Sequence, residues 1–446
     1  MSLFKAYDLR GKVPEDLNED IAYKIGRAYA ALYQPGTVAV GYDIRNESIA
    51  ITEALSRGLT ESGTDVFNIG LCGTEEVYFA TFHHKLDGGI MVTASHNPKG
   101  HNGMKLVGPE AKPISDDTGL QDIKALVESG NFPESNTVGT VTNSPDKQAY
   151  IEHLLSYINL NNLKPMKIVV DPGNGGAGIA LKEIAPHLPF EFIYINEEPN
   201  GDFPNGVPNP LLLENQKATA EAVTAHGADL GLAWDGDFDR CFFFDADGRF
   251  IEGYYLVGLL AETILAKNPG GKIIHDPRLV WNTVEQTNQA GGKPVMSKCG
   301  HAFIKEIMRE QDAIYGGEMS AHHYFREFSY CDSGMIPWLL ITELMSVSGQ
   351  TMKALVDERM SAYPCSGEIN FRVDDAKKVI ARILETYEPK AEEVDKTDGI
   401  SMNFGNWRFN LRASNTEPLL RLNIETIGDS ELLAEATEEL KTLIES

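Results

Sequence analysis

Short apolar runs rich in β-branched residues alternate with amphipathic stretches in the order strand, helix, strand, helix, strand, and this order occurs three times. In the first copy the pattern predicts strands at Thr37–Tyr42, Asp65–Ile69 and Gly89–Thr93. A helix capped by Ser48 runs to Gly63, and another covers Glu75–His84. The second copy predicts strands at Lys167–Val170, Phe190–Ile195 and Leu230–Trp234, with helices after Gly178 and over Leu213–His226. The third is shorter, with strands Lys272–His275, Pro294–Ser297 and Ala313–Tyr315 around helices Thr283–Ala290 and Ala302–Gln311. Such alternation predicts mixed or parallel sheets covered by helices, with ligands at the loops beyond the strand ends. Each copy ends in a loop of this kind, Thr93–Pro98, Asp235–Arg240 and Gly316–His323, so a shared cleft is expected.

From about Cys365 the pattern changes to strands near Glu368–Val373, Ser401–Phe404, Trp407–Leu411 and Leu419–Thr426, a helix at Ala376–Tyr387 and a final helix capped by Asp429 or Ser430. In that last helix Leu432, Leu433, Ala436, Leu440, Leu443 and Ile444 share one face. The expected fold is α/β: three related α/β domains with mixed sheets plus a smaller α+β C-terminal domain around a central cleft. The domains are expected at 1–147, 148–250, 251–364 and 365–446. The polar run Gly130–Lys147 reads as a linker, and Phe250–Gly253 and Ala362–Gly367 as the other joints.

Charge narrows the partners. Lys and Arg number 39 against 65 Asp and Glu, a net charge of −26, so nucleic acid and anionic membranes are not expected, and an anionic substrate would need local cations or a metal. The five cysteines are odd in number and scattered without a CxxC pair, which fits reduced thiols in a cytoplasmic protein. No signal-peptide core or membrane span is read in the chain.

Asp235, Asp237 and Asp239 place three hard oxygen ligands at alternate positions just past an apolar strand, a pattern suited to one divalent cation. An EF-hand is excluded because Arg240 and Ala246 stand where Gly and Glu are required. Ser95 lies in an equivalent strand-to-loop turn beside His96, Asn97 and Pro98, where a metal next to a hydroxyl suggests phosphoserine chemistry. Arg412-Ala-Ser-Asn-Thr416 combines a guanidinium with hydroxyls, an amide and main-chain N–H groups, as a phosphate monoester needs, and Arg421 adds a second cation. Glu318, Ser320 and His322 alternate, so an extended backbone would turn them toward one side to read sugar hydroxyls. Lys105, Arg278 and His301 are further polar candidates. Gly173–Gly178 matches GxGxxG, but no ribose-binding acid follows at the next strand tip, and it reads as a structural turn.

Taken together, the four loops resemble the α-D-phosphohexomutase superfamily over essentially the whole chain. Lys5-Ala-Tyr-Asp-Leu-Arg10 and Gly300-His-Ala-Phe-Ile-Lys305 are similar to its bacterial phosphomannomutase branch. The resemblance implies a mobile last domain and interconversion of mannose 6-phosphate and mannose 1-phosphate for GDP-mannose synthesis. It makes Ser95 the phosphoserine, with Asp235, Asp237 and Asp239 holding Mg²⁺ together with Ser95, and His96, Lys105, Arg240 and Arg10 beside the transfer. Tyr7, Arg278, His301, Glu318, Ser320, His322, Arg412, Ser414, Asn415 and Thr416 would bind substrate. Glucose 1,6-bisphosphate or mannose 1,6-bisphosphate would serve as activator, and the protein would be a monomer or homodimer. Ala321 and Arg278 stand where relatives often have Gly or Lys, which bears on the choice of sugar. The rival readings are a dual-specificity phosphomannomutase/phosphoglucomutase, a metal-dependent sugar phosphatase with Asp235 as nucleophile, and a non-catalytic sugar-phosphate-binding regulator.

Overall fold

The computed structural model describes residues 2–413 and 419–446. The three copies share one layout. Thr37–Tyr42 pairs in parallel with Asp65–Leu71 on one side and Gly88–Val92 on the other. Lys167–Asp171 stands likewise between Glu191–Tyr194 and Leu230–Trp234. So does Lys272–His275, between Lys293–Met296 and Tyr315–Gly317. The first strand of each copy is thus central, which is why these runs are apolar at almost every position.

In the first two copies the chain leaves the third strand through a loop and returns antiparallel beside it, as His101–Val107 and Cys241–Phe244. The reading of the sequence had no strand at either place. The functional loops are therefore tight returns between paired strands, anchored at both ends by ladder hydrogen bonds. The run read as a linker also contributes a strand: Val141–Asn143 pairs in parallel with Asp65–Leu71 at the edge of the first sheet.

The C-terminal sheet is antiparallel throughout, in the order Ile369–Arg372, Leu419–Thr426, Trp407–Ala413, Ile400–Asn403, Glu393–Asp395. The helices Ala376–Tyr387 and Ser430–Glu445 pack on it through Ile383, Tyr387, Ala436, Leu440 and Ile444. Fully burying a side chain of this size contributes about 1.5–3 kcal/mol. Asp429 is the cap of the last helix, accepting from Leu432 N at 2.8 Å. Ser48, by contrast, is not a cap. It is the first residue of the helix Ser48–Glu61, and its hydroxyl donates to Asp43 Oδ1 at 2.6 Å.

The chain forms two compact units. One contains the residues up to Phe250 together with His322–Gly349, and the other Ile251–Ala321 with Gln350–Ser446. All five cysteines are free. Among the described residues no helix is long and apolar enough to cross a membrane.

Candidate active site

In the first unit, the buried strand Gly88–Val92 delivers Ser95 in a left-handed conformation, φ +48°, with its N–H donating to Thr93 Oγ1 at 2.9 Å. Such a φ is costly for serine, and the loop is held in it from below. Arg45 donates to the carbonyls of Ser95, Asn97, Pro98 and His101 at 2.6–3.1 Å, and Asp43 pairs with it at 3.4 Å. Arg10 joins the same loop, donating to Asn97 Oδ1 at 2.5 Å while Asp8 holds its Nε at 2.8 Å. Arg45 was missed in the sequence. Its signal was an Asp–x–Arg run directly after the strand Thr37–Tyr42, a strand-end position like those of the other candidates.

The strand Leu230–Trp234 delivers the acidic loop to the same place. Ser95 Oγ donates to Asp235 Oδ2 at 2.7 Å, and single oxygens of Asp235, Asp237 and Asp239 lie within 4.8 Å of one another. Gly236 makes this approach possible, since a Cβ there would stand 2.7 Å from the Ser95 carbonyl oxygen. The glycine turn after Lys167–Asp171 serves the same loop, with Gly176 N donating to the Gly236 carbonyl at 3.2 Å. Thr74, also missed, donates its hydroxyl to Asp237 Oδ2 at 2.6 Å.

Two cations face the three acids. Lys105 donates to Asp237 Oδ2 at 2.7 Å and Asp239 Oδ2 at 2.5 Å, and Arg240 donates through Nε and Nη2 to Asp235 Oδ2 at 3.0 and 2.7 Å. Burial opposes charge on Lys105, but Asp237 and Asp239 outweigh it and hold the ammonium well above its usual range. Burial would also raise Asp235, yet the Arg240 guanidinium keeps it well below the carboxylate range. Asp239 goes the other way, pushed up to about 8 by burial and by the charge of Asp237. Among the described residues, Oδ1 of Asp237 and Oδ1 of Asp239 are buried without a hydrogen-bond partner. A buried carboxylate oxygen left this way is costly. The donor set therefore fits a divalent cation, which would satisfy these oxygens and lower Asp239.

Two imidazoles flank the acids. His96 Nδ1 lies 3.0 Å from Ser95 Oγ and 2.5 Å from Arg240 Nη2. Burial and the Arg240 charge push His96 down to about 4, so Nδ1 accepts and the ring is neutral. His322 Nε2 is 3.9 Å from Asp239 Oδ1. The extended, alternating backbone expected for Glu318, Ser320 and His322 is corrected here. Ala321 N donates to the Glu318 carbonyl at 3.0 Å and Ala321 has φ +69°, so the segment is a tight turn and His322 belongs with the acidic loop.

A buried carboxylate ties this unit together. Glu75 accepts from Tyr150 Oη, Ser333 Oγ, Gly334 N and Met335 N at 2.6–3.2 Å, joining three segments next to Thr74. Tyr7 is half-buried, just before the strand Leu9–Lys12.

In the second unit, the turn after Lys272–His275 carries Asp276, which the sequence reading passed over, and Arg278. Asp276 accepts from Arg278 Nε and Nη2 at 3.1 and 2.8 Å and from Met319 N at 3.0 Å. The same Nη2 also reaches Glu318 Oε1 at 3.5 Å and Ser320 Oγ at 3.4 Å, while Glu318 Oε1 accepts from Gly300 N at 3.0 Å. Glu318, Ser320 and Arg278 thus come together, with half-buried His301 heading the adjoining helix His301–Gln311.

Arg408 and Glu425, on neighbouring strands of the C-terminal sheet, pair at 2.7 Å. Arg408 also donates to the carbonyls of Pro277 and Arg278 at 2.9 and 3.0 Å, and Glu425 accepts from Val280 N at 2.7 Å and Trp281 N at 3.2 Å. The C-terminal sheet is in this way fastened to the Arg278 turn. Arg412 lies on the same strand, Trp407–Ala413, and reaches Glu368 at 3.5 Å. Ser414, Asn415 and Thr416 lie outside the described residues.

Four sequence models of one family match consecutive parts of the chain. Alpha/beta/alpha domains I, II and III of phosphoglucomutase/phosphomannomutase match residues 1–134, 148–248 and 252–363, and the C-terminal domain matches 368–443. A protein of Xanthomonas campestris pv. campestris named for phosphohexose mutases is 62% identical over 441 residues, covering 99% of this chain and 98% of its own. A phosphomannomutase of Salmonella montevideo is 57% identical, covering 100% and 99%. The crystal structure of a phosphoglucomutase/phosphomannomutase family protein from Burkholderia thailandensis superimposes with a TM-score of 0.89 at 29% identity, covering 99% and 97%.

Proposed function

The chain belongs to the phosphoglucomutase/phosphomannomutase family, and from that premise we propose that it is a phosphomannomutase working through a phosphoserine at position 95. The carrying observation is the meeting of Ser95 Oγ with three clustered aspartates. Asp235, Asp237, Asp239 and the Ser95 oxygen would hold Mg²⁺, which when bound offsets negative charge on the phosphoryl group.

In the first half-reaction the phosphoryl group of Ser95 passes to O1 of mannose 6-phosphate, breaking the Ser95 Oγ–P bond and giving mannose 1,6-bisphosphate. In the second, the O6 phosphoryl returns to Ser95 and mannose 1-phosphate leaves. Lys105, held as an ammonium, and Arg240 donate to the phosphoryl oxygens. Lys105 or an imidazole, His96 lying closest to Ser95 Oγ, would take the proton of the attacking hydroxyl. In the second unit Glu318, Ser320 and Arg278 would read sugar hydroxyls, with His301 as a further contact, and Arg412 with Ser414, Asn415 and Thr416 would take the phosphate that is not being transferred; Tyr7 and His322 of the first unit would also bind substrate. Glucose 1,6-bisphosphate or mannose 1,6-bisphosphate would rephosphorylate a chain that has lost its phosphoryl group. The setting is a cytoplasmic monomer or homodimer supplying GDP-mannose synthesis.

A dual-specificity enzyme acting also on glucose phosphates is the second reading, favoured by the 62%-identical relative named for phosphohexose mutases at large. A coupled assay of mannose 1-phosphate against glucose 1-phosphate, with and without glucose 1,6-bisphosphate, separates the two. Release of free phosphate without isomer formation would overturn both in favour of a phosphatase. Intact-mass measurement should find chains heavier by one phosphoryl group, localised by digestion to Ser95.

A further inference from the structure

Glu368 stands immediately ahead of the strand Ile369–Arg372 and is the meeting point of three guanidinium groups. Arg278 Nη1 and Arg412 Nη2 lie 3.5 Å from Glu368 Oε2, and Arg421 Nη1 lies 3.5 Å from Oε1. These contacts are uniformly long. Elsewhere in the same unit Arg278 and Asp276 close to 2.8 Å and Arg408 and Glu425 to 2.7 Å, the usual span of a charge-assisted bond. Glu368 is thus surrounded by donors without being gripped by any of them.

Three observations point to a carboxylate that gives way. Among the described residues Arg412 Nε is buried without a hydrogen-bond partner, so this arginine keeps donor capacity that Glu368 does not use. Gly367, with φ +65°, precedes Glu368 and provides a backbone pivot. Glu252 lies against that pivot, its carboxylate 3.1 Å from where a Gly367 Cβ would be, so a second acid stands beside the residue that carries Glu368.

We propose that Glu368 is an internal stand-in for the substrate's phosphate, resting among Arg278, Arg412 and Arg421 in the free protein and displaced when a phosphomonoester binds. This rests on the phosphate-binding reading of Arg412. A carboxylate has one charge and two oxygens, whereas a phosphomonoester carries about −1.5 to −2 and three acceptor oxygens. The phosphorylated ligand therefore outcompetes Glu368 and a bare sugar does not. Glu368 acts as a specificity residue: it lowers affinity for every anion and most of all for ligands too weakly charged to expel it.

The test is calorimetric titration of the full-length chain with inorganic phosphate at fixed ionic strength. Glu368→Gln should bind phosphate roughly tenfold more tightly, the effect of removing one charge near a dianion in a water-like dielectric, and Glu368→Asp should return to near the wild-type affinity. Equal or weaker binding by Glu368→Gln overturns the proposal and makes Glu368 a prop for the arginines. In the unmutated protein, saturating phosphate should speed hydrogen exchange at Gly367 and Glu368; unchanged exchange there also overturns it. Hexose phosphate turnover, assayed alongside, reports separately on the enzymatic reading. Normal turnover with unmoved phosphate affinity sinks only the Glu368 proposal, and tighter phosphate binding without any isomerisation sinks only the mutase.

Discussion

Carboxylates outnumber cations around Ser95, whereas three guanidiniums converge on the single carboxylate of Glu368. In the first unit three aspartates meet Lys105 and Arg240 at 2.5–3.0 Å, and two aspartate oxygens are still left over. In the second, three arginines meet Glu368 at 3.5 Å. Close contacts with a surplus of acid suit a resident cation, held before substrate arrives. Long contacts from three guanidiniums to one carboxylate suit a place where one anion replaces another. The phosphoserine scheme proposed above would need both: rigid geometry at the transfer point, and exchangeable binding for the group held aside.

The contrast can be broken at several points. Ser95→Ala should cut turnover about 10⁴-fold or more while leaving inorganic phosphate binding unchanged, as read by stopped assays and calorimetry on the same preparation. Glu425→Gln should weaken the buried attachment of Arg408 and, because the loss of one partner of a buried pair costs about 3–5 kcal/mol, lower the denaturation midpoint of the protein. A midpoint within error of wild type would show that the Arg278 turn is held by other contacts. Asp237→Asn should reduce magnesium-dependent turnover roughly a hundredfold and shift the Mg²⁺ titration to higher concentration, with the phosphate affinity of the second unit unmoved.

The smallest effect sharpens the comparison through pH. His323 is fully buried in the first unit, and burial pushes it from 6.5 down to about 3. Between those values the unfolded chain takes up a proton that the folded chain refuses. The contribution to stability is complete above pH 6.5 and is lost as pH falls toward 3, at about 1.4 kcal/mol per unit. Denaturant titrations at pH 6.5 and 4.5 should differ less in His323→Gln than in the wild type.

Much of this was legible in local patterns. Thr37–Tyr42, Leu213–His226, Leu230–Trp234, Ala376–Tyr387 and Leu419–Thr426 run as the periodicity predicts. The three aspartates and Ser95 announced themselves because a strand end followed by closely spaced functional groups is a local signal. What could not be read depends on partners distant in the chain. Arg45 matters because it lies under the serine loop, Thr74 because it meets Asp237, and Asp276 because Met319 and Arg278 both turn toward it. Arg408 and Glu425 looked like ordinary strand residues. His322 was assigned to Glu318 and Ser320 because alternation was assumed, and the left-handed Ala321 redirects it. The strands His101–Val107 and Cys241–Phe244 escaped because they follow the functional loops so closely that they read as part of them.

The backbone at Ser95 has a consequence of its own. A left-handed serine is held there at a cost of about 1–2 kcal/mol that glycine would not incur. A lineage of this protein bred only for endurance to heat, with no demand for turnover, should drift toward glycine at that site and become sturdier as it falls silent.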